Sequence, residues 1–96
     1  MPNMIMKRDG RVKPYDRKRI EQAIHAACLE YYGDGIKYLS PEILSSCLEL
    51  IYHRIDILEE DPVDVETIQD IVVEELFKVD AGLAECYSDY RTKRSV

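Results

Sequence analysis

The sequence predicts an α+β fold in which a four-helix bundle is capped by a small three-stranded β-sheet that begins with an N-terminal hairpin. Two short stretches with strand character flank an Asp-Gly pair near the N-terminus, and four later segments repeat apolar residues at helical spacing. The chain has 96 residues, of which 46% are hydrophobic. A chain of this length supports one hydrophobic core, so we expect a single domain over residues 1–96.

The N-terminal hairpin is predicted over about residues 4–15, on either side of Asp9-Gly10. This pair tolerates the positive φ angles of a tight two-residue turn, so we expect it to form the bend. Pro14 cannot donate a hydrogen bond to a neighbouring strand, which places it at a strand end or on a sheet edge.

The four helices are predicted where apolar residues recur every three or four positions, the spacing of one helical face. Their predicted ranges are about 17–32, 41–58, 66–78 and 81–94. Each range follows a residue type that favours a helix start: Asp16, Ser40 with Pro41, Asp64 and Asp80. Val63 and Val65 supply a short third strand just before the third helix.

The apolar faces of the first two helices are the clearest. The first comprises Ile20, Ala23, Ile24, Ala27, Cys28 and Tyr31, and the second comprises Ile43, Leu44, Cys47, Leu48, Ile51, Ile55 and Leu58. The three cysteines of the chain are far apart, lie on apolar faces and form no C-x-x-C pair. We interpret them as buried thiols and predict neither a disulfide nor a metal site built from protein side chains.

Charge is unevenly distributed along the chain. The formal net charge of -6 argues against direct nucleic-acid binding. Yet seven of the thirteen basic residues lie within residues 1–19 and three lie within the last six residues, whereas the segment between them holds 17 of the 19 carboxylates. If the fold brings the two ends together, they form a local anion site on an otherwise acidic body.

The N-terminal third could build a nucleotide site, which needs cations for phosphate and an apolar slot for the base. The available cations include Lys7, Arg8, Arg11 and Lys13, and the candidate pocket walls are Ile5, Tyr15 and Ile20. Because side chains alternate along a strand, only some of these cations are expected to reach one ligand. From the pattern alone, solvated charges on an exposed hairpin are the commoner outcome.

Catalytic chemistry finds little support. His25 and His53 lie on different predicted helices and have no metalloprotease spacing, and neither common glycine-rich phosphate loop is present. No catalytic residue is therefore predicted. The chain also has no run of 18 apolar residues and no signal-peptide pattern, so we expect a soluble cytoplasmic protein with no membrane partner.

Three stretches resemble the ATP-cone domain, the nucleotide-sensing module at the N-terminus of many ribonucleotide reductase subunits. The opening Met6-Lys7-Arg8-Asp9-Gly10-Arg11-Val12, followed by Tyr15-Asp16 and Arg19-Ile20, is similar to the start of that family. Residues 63–70 resemble the start of its third helix, and residues 84–94 resemble its closing A-x-x-Y-x-x-Y-R-x-x-R signature. The three stretches occur in the order and at the spacing of the family, across nearly the whole chain.

The resemblance implies that ATP or dATP, with Mg²⁺, is held between the sheet and the helices. It implies phosphate-binding roles for Lys7, Arg8, Arg19, Arg91 and Arg94, and base or ribose pocket roles for Tyr15, Asp16, Ile20, Gln69 and Tyr90. Arg19 stands where relatives often have lysine, and Lys13 stands where relatives can have an acidic residue.

In the family that the chain resembles, ATP favours the active enzyme and dATP switches it off, commonly by changing the oligomeric state. The expected partners are a nucleoside triphosphate, the remainder of a reductase polypeptide with its subunits, and further copies of the chain. Two alternatives stay open. One is the cone of a transcriptional repressor of reductase genes, a family that carries paired C-x-x-C motifs ahead of the cone. The other is a ligand-free helical interaction module, whose melting temperature would not respond to ATP.

Overall fold

The computed structural model describes residues 3–33 and 40–93, with side chains described as far as Asp89. Its elements are β1 Met4–Met6, β2 Val12–Pro14, α1 Arg17–Tyr32, α2 Pro41–Asp56, β3 Val63–Asp64, α3 Val65–Val79 and α4 Ala81–Lys93. The described part thus has four helices and one three-stranded sheet that starts with an N-terminal hairpin, which confirms the predicted α+β fold class. Within it, no helix is both long and apolar enough to cross a bilayer.

The sheet has the strand order β2-β1-β3 and mixes two kinds of pairing. β1 is antiparallel to β2, with Ile5 opposite Lys13, and parallel to β3, with Ile5 opposite Val63. Val63 is fully buried, so the parallel pairing anchors the hairpin to the helices. Pro14 ends the edge strand β2, where its missing N–H costs the ladder nothing.

The turn of the hairpin differs from the predicted two-residue bend. The Lys7 N–H donates to the Arg11 carbonyl oxygen at 2.8 Å and the Gly10 N–H donates to the Lys7 carbonyl oxygen at 2.9 Å, which makes a three-residue loop of residues 8–10. Gly10 has a φ of 87°, whereas no described residue other than glycine has a positive φ. The Asp9 carboxylate instead accepts hydrogen bonds from the Arg11 N–H at 3.0 Å and from Arg11 Nε at 2.6 Å. These side-chain bonds hold Asp9 at a negative φ, so that Gly10 is the loop residue with a positive φ.

The predicted helix starts are confirmed at three of the four helices. Asp16 Oδ1 accepts from the Lys18 N–H at 2.9 Å, Ser40 Oγ accepts from the Glu42 N–H at 3.1 Å, and Asp80 Oδ1 accepts from the Gly82 N–H at 2.9 Å. The prediction was wrong for Asp64, which precedes α3 but makes no capping hydrogen bond with its side chain. Asp64 belongs to β3, whose extended backbone passes directly into the helix.

The second helix is shorter than predicted and its apolar face is narrower. It ends at Asp56 rather than near residue 58, because the Ile57 and Leu58 N–H groups bond to the carbonyl oxygens of His53 and Ile55 in a tightened last turn. Ile43 was expected to face inward but is 49% exposed. It borders an open groove beside Lys78 and Val79 instead of the packed core.

The core lies where α3 packs against α2 and α4 and where α1 packs against α4. Its largest fully buried side chains are Ile24, Ile51, Ile55, Leu76, Leu83, Val63, Val72 and Cys28. Cys28 and Cys47 are buried and Cys86 is half-buried, and none of the three forms a disulfide. Tyr31, another residue expected to face inward, is 44% exposed and packs edge-on against Tyr32 at the end of α1.

Asp80 joins the end of α1 to the junction of α3 and α4. Its carboxylate accepts from the Tyr32 hydroxyl at 2.9 Å and the Tyr31 hydroxyl at 3.3 Å, as well as from the Gly82 N–H. The Tyr32 hydrogen bond is the largest cause that lowers the pKa of Asp80, and backbone N–H groups add to it. Burial, followed by the bond to Asp80, raises the pKa of Tyr32 to about 12.

An Asp80→Asn substitution is therefore expected to lower the melting temperature at pH 7. The pKa of Asp80 is lower in the folded than in the unfolded chain, so its charge stabilises the fold above its unfolded pKa. This contribution is lost as the pH falls, and the gap between variant and wild type should narrow between about pH 5 and pH 3. Circular dichroism melts across this range measure the gap, with Asp89→Asn as the control on an exposed carboxylate of α4. A gap that does not change with pH would contradict this role of the Asp80 charge.

Candidate functional site

A cavity of about 190 Å³ lies where the hairpin meets α1, α3 and α4. It is lined by Ile5, Lys7, Pro14, Tyr15, Asp16, Arg19, Ile20, Ala23, Val65, Ile68, Gln69 and Tyr87. Six of the ten predicted site residues are among them, namely Lys7, Tyr15, Asp16, Arg19, Ile20 and Gln69. The fold therefore brings residues from the hairpin, the first helix and the third helix to one place.

Local structure explains how the charged residues reach this cavity. Lys7 follows β1 and closes the hairpin loop through its backbone, which holds its side chain two positions from Ile5 on the same face. Arg19 lies in the first turn of α1, and its N–H donates to the Asp16 carbonyl oxygen at 3.1 Å. Ile20 is 9% exposed and packs into the core, so it fixes the rotation of the helix that carries Arg19.

The inner wall of the cavity is apolar. Ile68 from α3 and Tyr87 from α4 are 5% and 4% exposed, and Ala23 from α1 adds a small side chain that leaves room between them. Burial raises the pKa of Tyr15, an effect that Arg17 partly offsets, so its hydroxyl stays protonated at neutral pH. A flat heteroaromatic ring fits a slot with these properties.

The lobe that adjoins this cavity is basic. A second lobe of about 230 Å³ shares Ile5, Lys7, Pro14, Asp16 and Arg19 with the first and adds Lys13. The start of α1 opens at the same place, and helix starts attract anions. An elongated ligand with a ring at one end and phosphates at the other fits this arrangement, in which an apolar wall is followed by a group of cations.

Arg8 does not line either of these lobes. It borders a neighbouring cavity of about 180 Å³ with Gly10 and Glu66. Its Nε lies 3.3 Å from Glu66 Oε1, and its Nη2 donates to Gln69 Oε1 at 3.5 Å. Arg8 thus sits on the α3 side of the site, as expected from the alternation of side chains along a strand.

The predicted residues of the C-terminal segment are only partly placed. Tyr90 and Arg91 belong to the last turns of α4, but their side chains lie outside the described residues, and Arg94 lies outside them altogether. Their roles at the site stay predictions. Tyr87, one turn before Arg91 on the same helix, does line the cavity, so α4 runs alongside it.

Several cavity residues were not among the predicted site residues. Pro14, Ala23, Val65, Ile68 and Tyr87 line the cavity through tertiary packing. The helical spacing of Tyr87 and Tyr90 was a usable signal for one of them, whereas the others look like ordinary core positions in the sequence. Ile5 was recognised as a candidate wall and does line the cavity.

Other grooves in the described part of the chain lack this combination of surfaces. The largest, of about 500 Å³, runs between α1 and α2 along Lys18, His25 and Leu44, and another of about 300 Å³ runs between α2 and α3. Both are open and neither gathers several cations. Within the described residues, no three His, Cys, Asp or Glu side chains are grouped to hold a metal ion.

The chain is similar to known proteins over most of its length. A sequence model of the ATP cone domain matches residues 3–96. The alpha subunit of ribonucleoside-diphosphate reductase from Chlamydia trachomatis serovar D is 35% identical over 92 residues, which cover 90% of this chain. The chain spans only 9% of the length of that relative.

Proposed function

Because this chain belongs to the ATP cone domain family, we propose that it binds ATP or dATP in the hairpin cavity and thereby regulates a ribonucleotide reductase. The family is regulatory, and the chain matches only 9% of the length of the relative. The observation that carries the proposal is that Lys7 and Arg19 stand together at the mouth of an apolar slot.

The proposed binding mode follows the arrangement of the apolar wall and the cations. The base occupies the apolar wall beside Ile20 and Tyr87, and the phosphates meet Lys7, Arg19 and the start of α1. Asp16 caps α1 through Oδ1, which leaves Oδ2 able to accept a hydrogen bond from a ribose hydroxyl. The predicted contacts of Arg8, Tyr90, Arg91 and Arg94 complete the site.

Magnesium is expected to arrive with the nucleotide. The described cavity wall offers one carboxylate, Asp16, and several cations, so the phosphate oxygens rather than protein side chains would hold the ion. Mg²⁺ would lower the charge of the triphosphate that the cations face. The protein residues bind and orient the phosphates, and no catalytic step is assigned to them.

Regulation requires that the nucleotide distinguish two states of the enzyme. A ligand that binds one state tenfold more tightly shifts the equilibrium by about 1.4 kcal/mol. ATP and dATP differ only at the ribose 2′-hydroxyl, so we propose that the ribose contact selects between an active and an inhibited assembly in the cytoplasm. The partners are then the rest of the reductase polypeptide, its subunits and further copies of the chain.

Isothermal titration calorimetry with ATP and dATP tests the binding proposal. Both nucleotides are expected to bind in the presence of Mg²⁺, and both should raise the melting temperature of the chain. If neither nucleotide binds at about millimolar concentration, the proposed function is refuted. Even a weak site with a binding free energy of about -4 kcal/mol would be about half occupied at that concentration. Sedimentation of the complete reductase with each nucleotide tests the change in assembly separately.

A further inference from the structure

The contact between α1 and α4 contains two thiols to which the proposed function assigns no role. Cys28 of α1 is 1% exposed, and Cys86 of α4 is half-buried. We propose that these two cysteines are a redox-active pair, which a small disulfide such as oxidised glutathione converts to an intrachain bond that joins α1 to α4. This inference goes beyond the proposed function and does not depend on it.

Hydrogen bonds between the two helices set their register. Near the end of α1, the Tyr32 hydroxyl donates to the carboxylate of Asp80, just before α4, at 2.9 Å. Further back along α1, the Cys86 thiol donates to the carbonyl oxygen of Ala27 at 3.7 Å. The helices therefore run antiparallel, and Cys86 meets α1 at the residue that precedes Cys28.

Small residues let α1 and α4 approach closely at this contact. The Tyr31 side chain leaves no room for a Cβ at Gly82, and Ala27 is fully buried. A disulfide requires Cα atoms within about 7 Å of each other, which only closely packed helices provide. Burial and, after it, the charge of Cys86 raise the pKa of Cys28, as expected of two thiols that lie near each other.

Cys47, the third cysteine, belongs to a different contact. It lines the groove between α2 and α3 together with Glu75. Burial raises the pKa of Cys47 to about 11, and the charge of Glu75 adds more to this shift than that of Cys28 does. Its thiol is therefore protonated near neutral pH and is a poor nucleophile. We expect Cys47 to stay reduced while Cys28 and Cys86 are oxidised.

The exposure of the two thiols assigns the order of the reaction. Cys86 is the more accessible one, so its thiolate attacks a sulfur of the small disulfide, releases one small thiol and becomes a mixed disulfide. Cys28 then loses its proton to solvent, its sulfur attacks the sulfur of Cys86, and the second small thiol leaves. Two cysteine thiols are oxidised, and one small disulfide is reduced to two thiols.

The bond would fix α4 beside the nucleotide cavity. Tyr87, which follows Cys86 in α4, lines that cavity together with Ala23 of α1. Joining the two helices removes conformations of the unfolded chain and so stabilises the fold. In a reducing compartment such a bond is transient and responds to the redox state, which would then set how firmly α4 is held against α1.

Peptide mapping of the full chain after incubation with oxidised glutathione tests the proposal. Once the remaining thiols are alkylated in denaturant, mass spectrometry is expected to find Cys28 joined to Cys86, and Cys47 alkylated. Dithiothreitol should reverse the bond. The oxidised chain should melt about 10 °C above the reduced chain, the shift expected of a typical disulfide in a domain of this size.

Serine variants distinguish this pair from other thiol reactions. Cys47→Ser is the matched control and should form the bond as the wild type does. Cys28→Ser should stop at a mixed disulfide on Cys86, and Cys86→Ser should form no intrachain bond.

The map of the wild-type chain decides the outcome even if a variant does not fold. A bond to Cys47, bonds only between chains, glutathione retained on Cys86, or three reduced thiols would each overturn the proposal. No nucleotide enters these measurements, so their failure leaves the proposed function untouched, and a failure to bind ATP leaves the thiol pair untouched.

Discussion

Replacing both Lys7 and Arg19 with glutamine is expected to weaken ATP binding at least about a hundredfold, because each loses a charge-assisted hydrogen bond to phosphate. The two side chains line both lobes of the cavity and have no ion pair within the described residues. Their charges are therefore available to a ligand. Each single variant should lose about tenfold, and calorimetry of the two singles and the double measures whether the losses add.

The fold should survive this double substitution, because glutamine removes like-charge repulsion and breaks no ion pair described for either residue. Melting temperatures without nucleotide should stay close to that of the wild type, whereas the stabilisation by ATP should disappear. Lys18→Gln serves as the matched control, since Lys18 is adjacent to Arg19 in α1 but lines the groove between α1 and α2. An ATP affinity of the double variant within about threefold of the wild type, a difference of less than 1 kcal/mol, would exclude this cavity as the phosphate site.

Local signals in the sequence predicted most of the fold. The Asp16, Ser40 and Asp80 caps each act within three residues, so they can be recognised without knowledge of the tertiary structure. Two errors arose where longer contacts decide. Ile43 is exposed at the groove between α2 and α3, and Asp64 is held extended by its pairing with Met6 in the sheet. The error at the hairpin turn has a local cause, because the hydrogen bonds that the Asp9 carboxylate accepts from Arg11 favour a longer loop.

The lining of the candidate cavity was predictable to the extent that it comes from one contiguous stretch. Lys7, Tyr15, Asp16 and Arg19 lie within thirteen residues of each other, and strand alternation already indicated that only some of the hairpin cations would converge. Gln69 was placed by resemblance alone. Ile68 and Tyr87 line the cavity where α3 and α4 pack together, and the sequence pattern within each helix does not show that contact.

The sequence does not distinguish the buried Glu75 from an exposed helical carboxylate such as its neighbour Glu74. The side chain of Glu75 is only 3% exposed. Glu75 Oε2 lies 2.8 Å from Arg54 Nη1 and 3.2 Å from Lys78 Nζ, while Arg54 Nη2 also contacts Glu74 Oε1 at 2.8 Å. Its main partner is 21 residues away on α2, so the pairing depends on how α2 and α3 pack. Arg54 therefore joins the two helices through a buried charge.

An Arg54→Met substitution is expected to reduce the free energy of unfolding by about 2 kcal/mol at pH 7, because it leaves the Glu75 carboxylate buried with one remaining partner. The loss falls below that of a fully buried pair, since Arg54 is 36% exposed and Lys78 stays in place. Urea denaturation measures the change. Glu74→Gln removes only the exposed partner of Arg54 and should cost less than about 0.5 kcal/mol.

The loss of unfolding free energy in Arg54→Met, called the deficit below, should depend on pH if it comes from lost charge pairing and not if it comes from lost packing. Burial works to raise the pKa of Glu75, but hydrogen bonds from Arg54 and Lys78 outweigh it and hold the pKa below its ordinary value of 4.5. In the wild type this pairing stabilises the fold above the unfolded pKa and is lost as the pH falls, so the deficit should be largest at neutral pH and shrink through about pH 4. Adding Glu75→Met should restore most of the stability at pH 7, because an apolar pair needs no counter-charge. A deficit independent of pH and unrelieved by the second substitution would mean that the Arg54 stem, rather than its charge, holds α2 to α3.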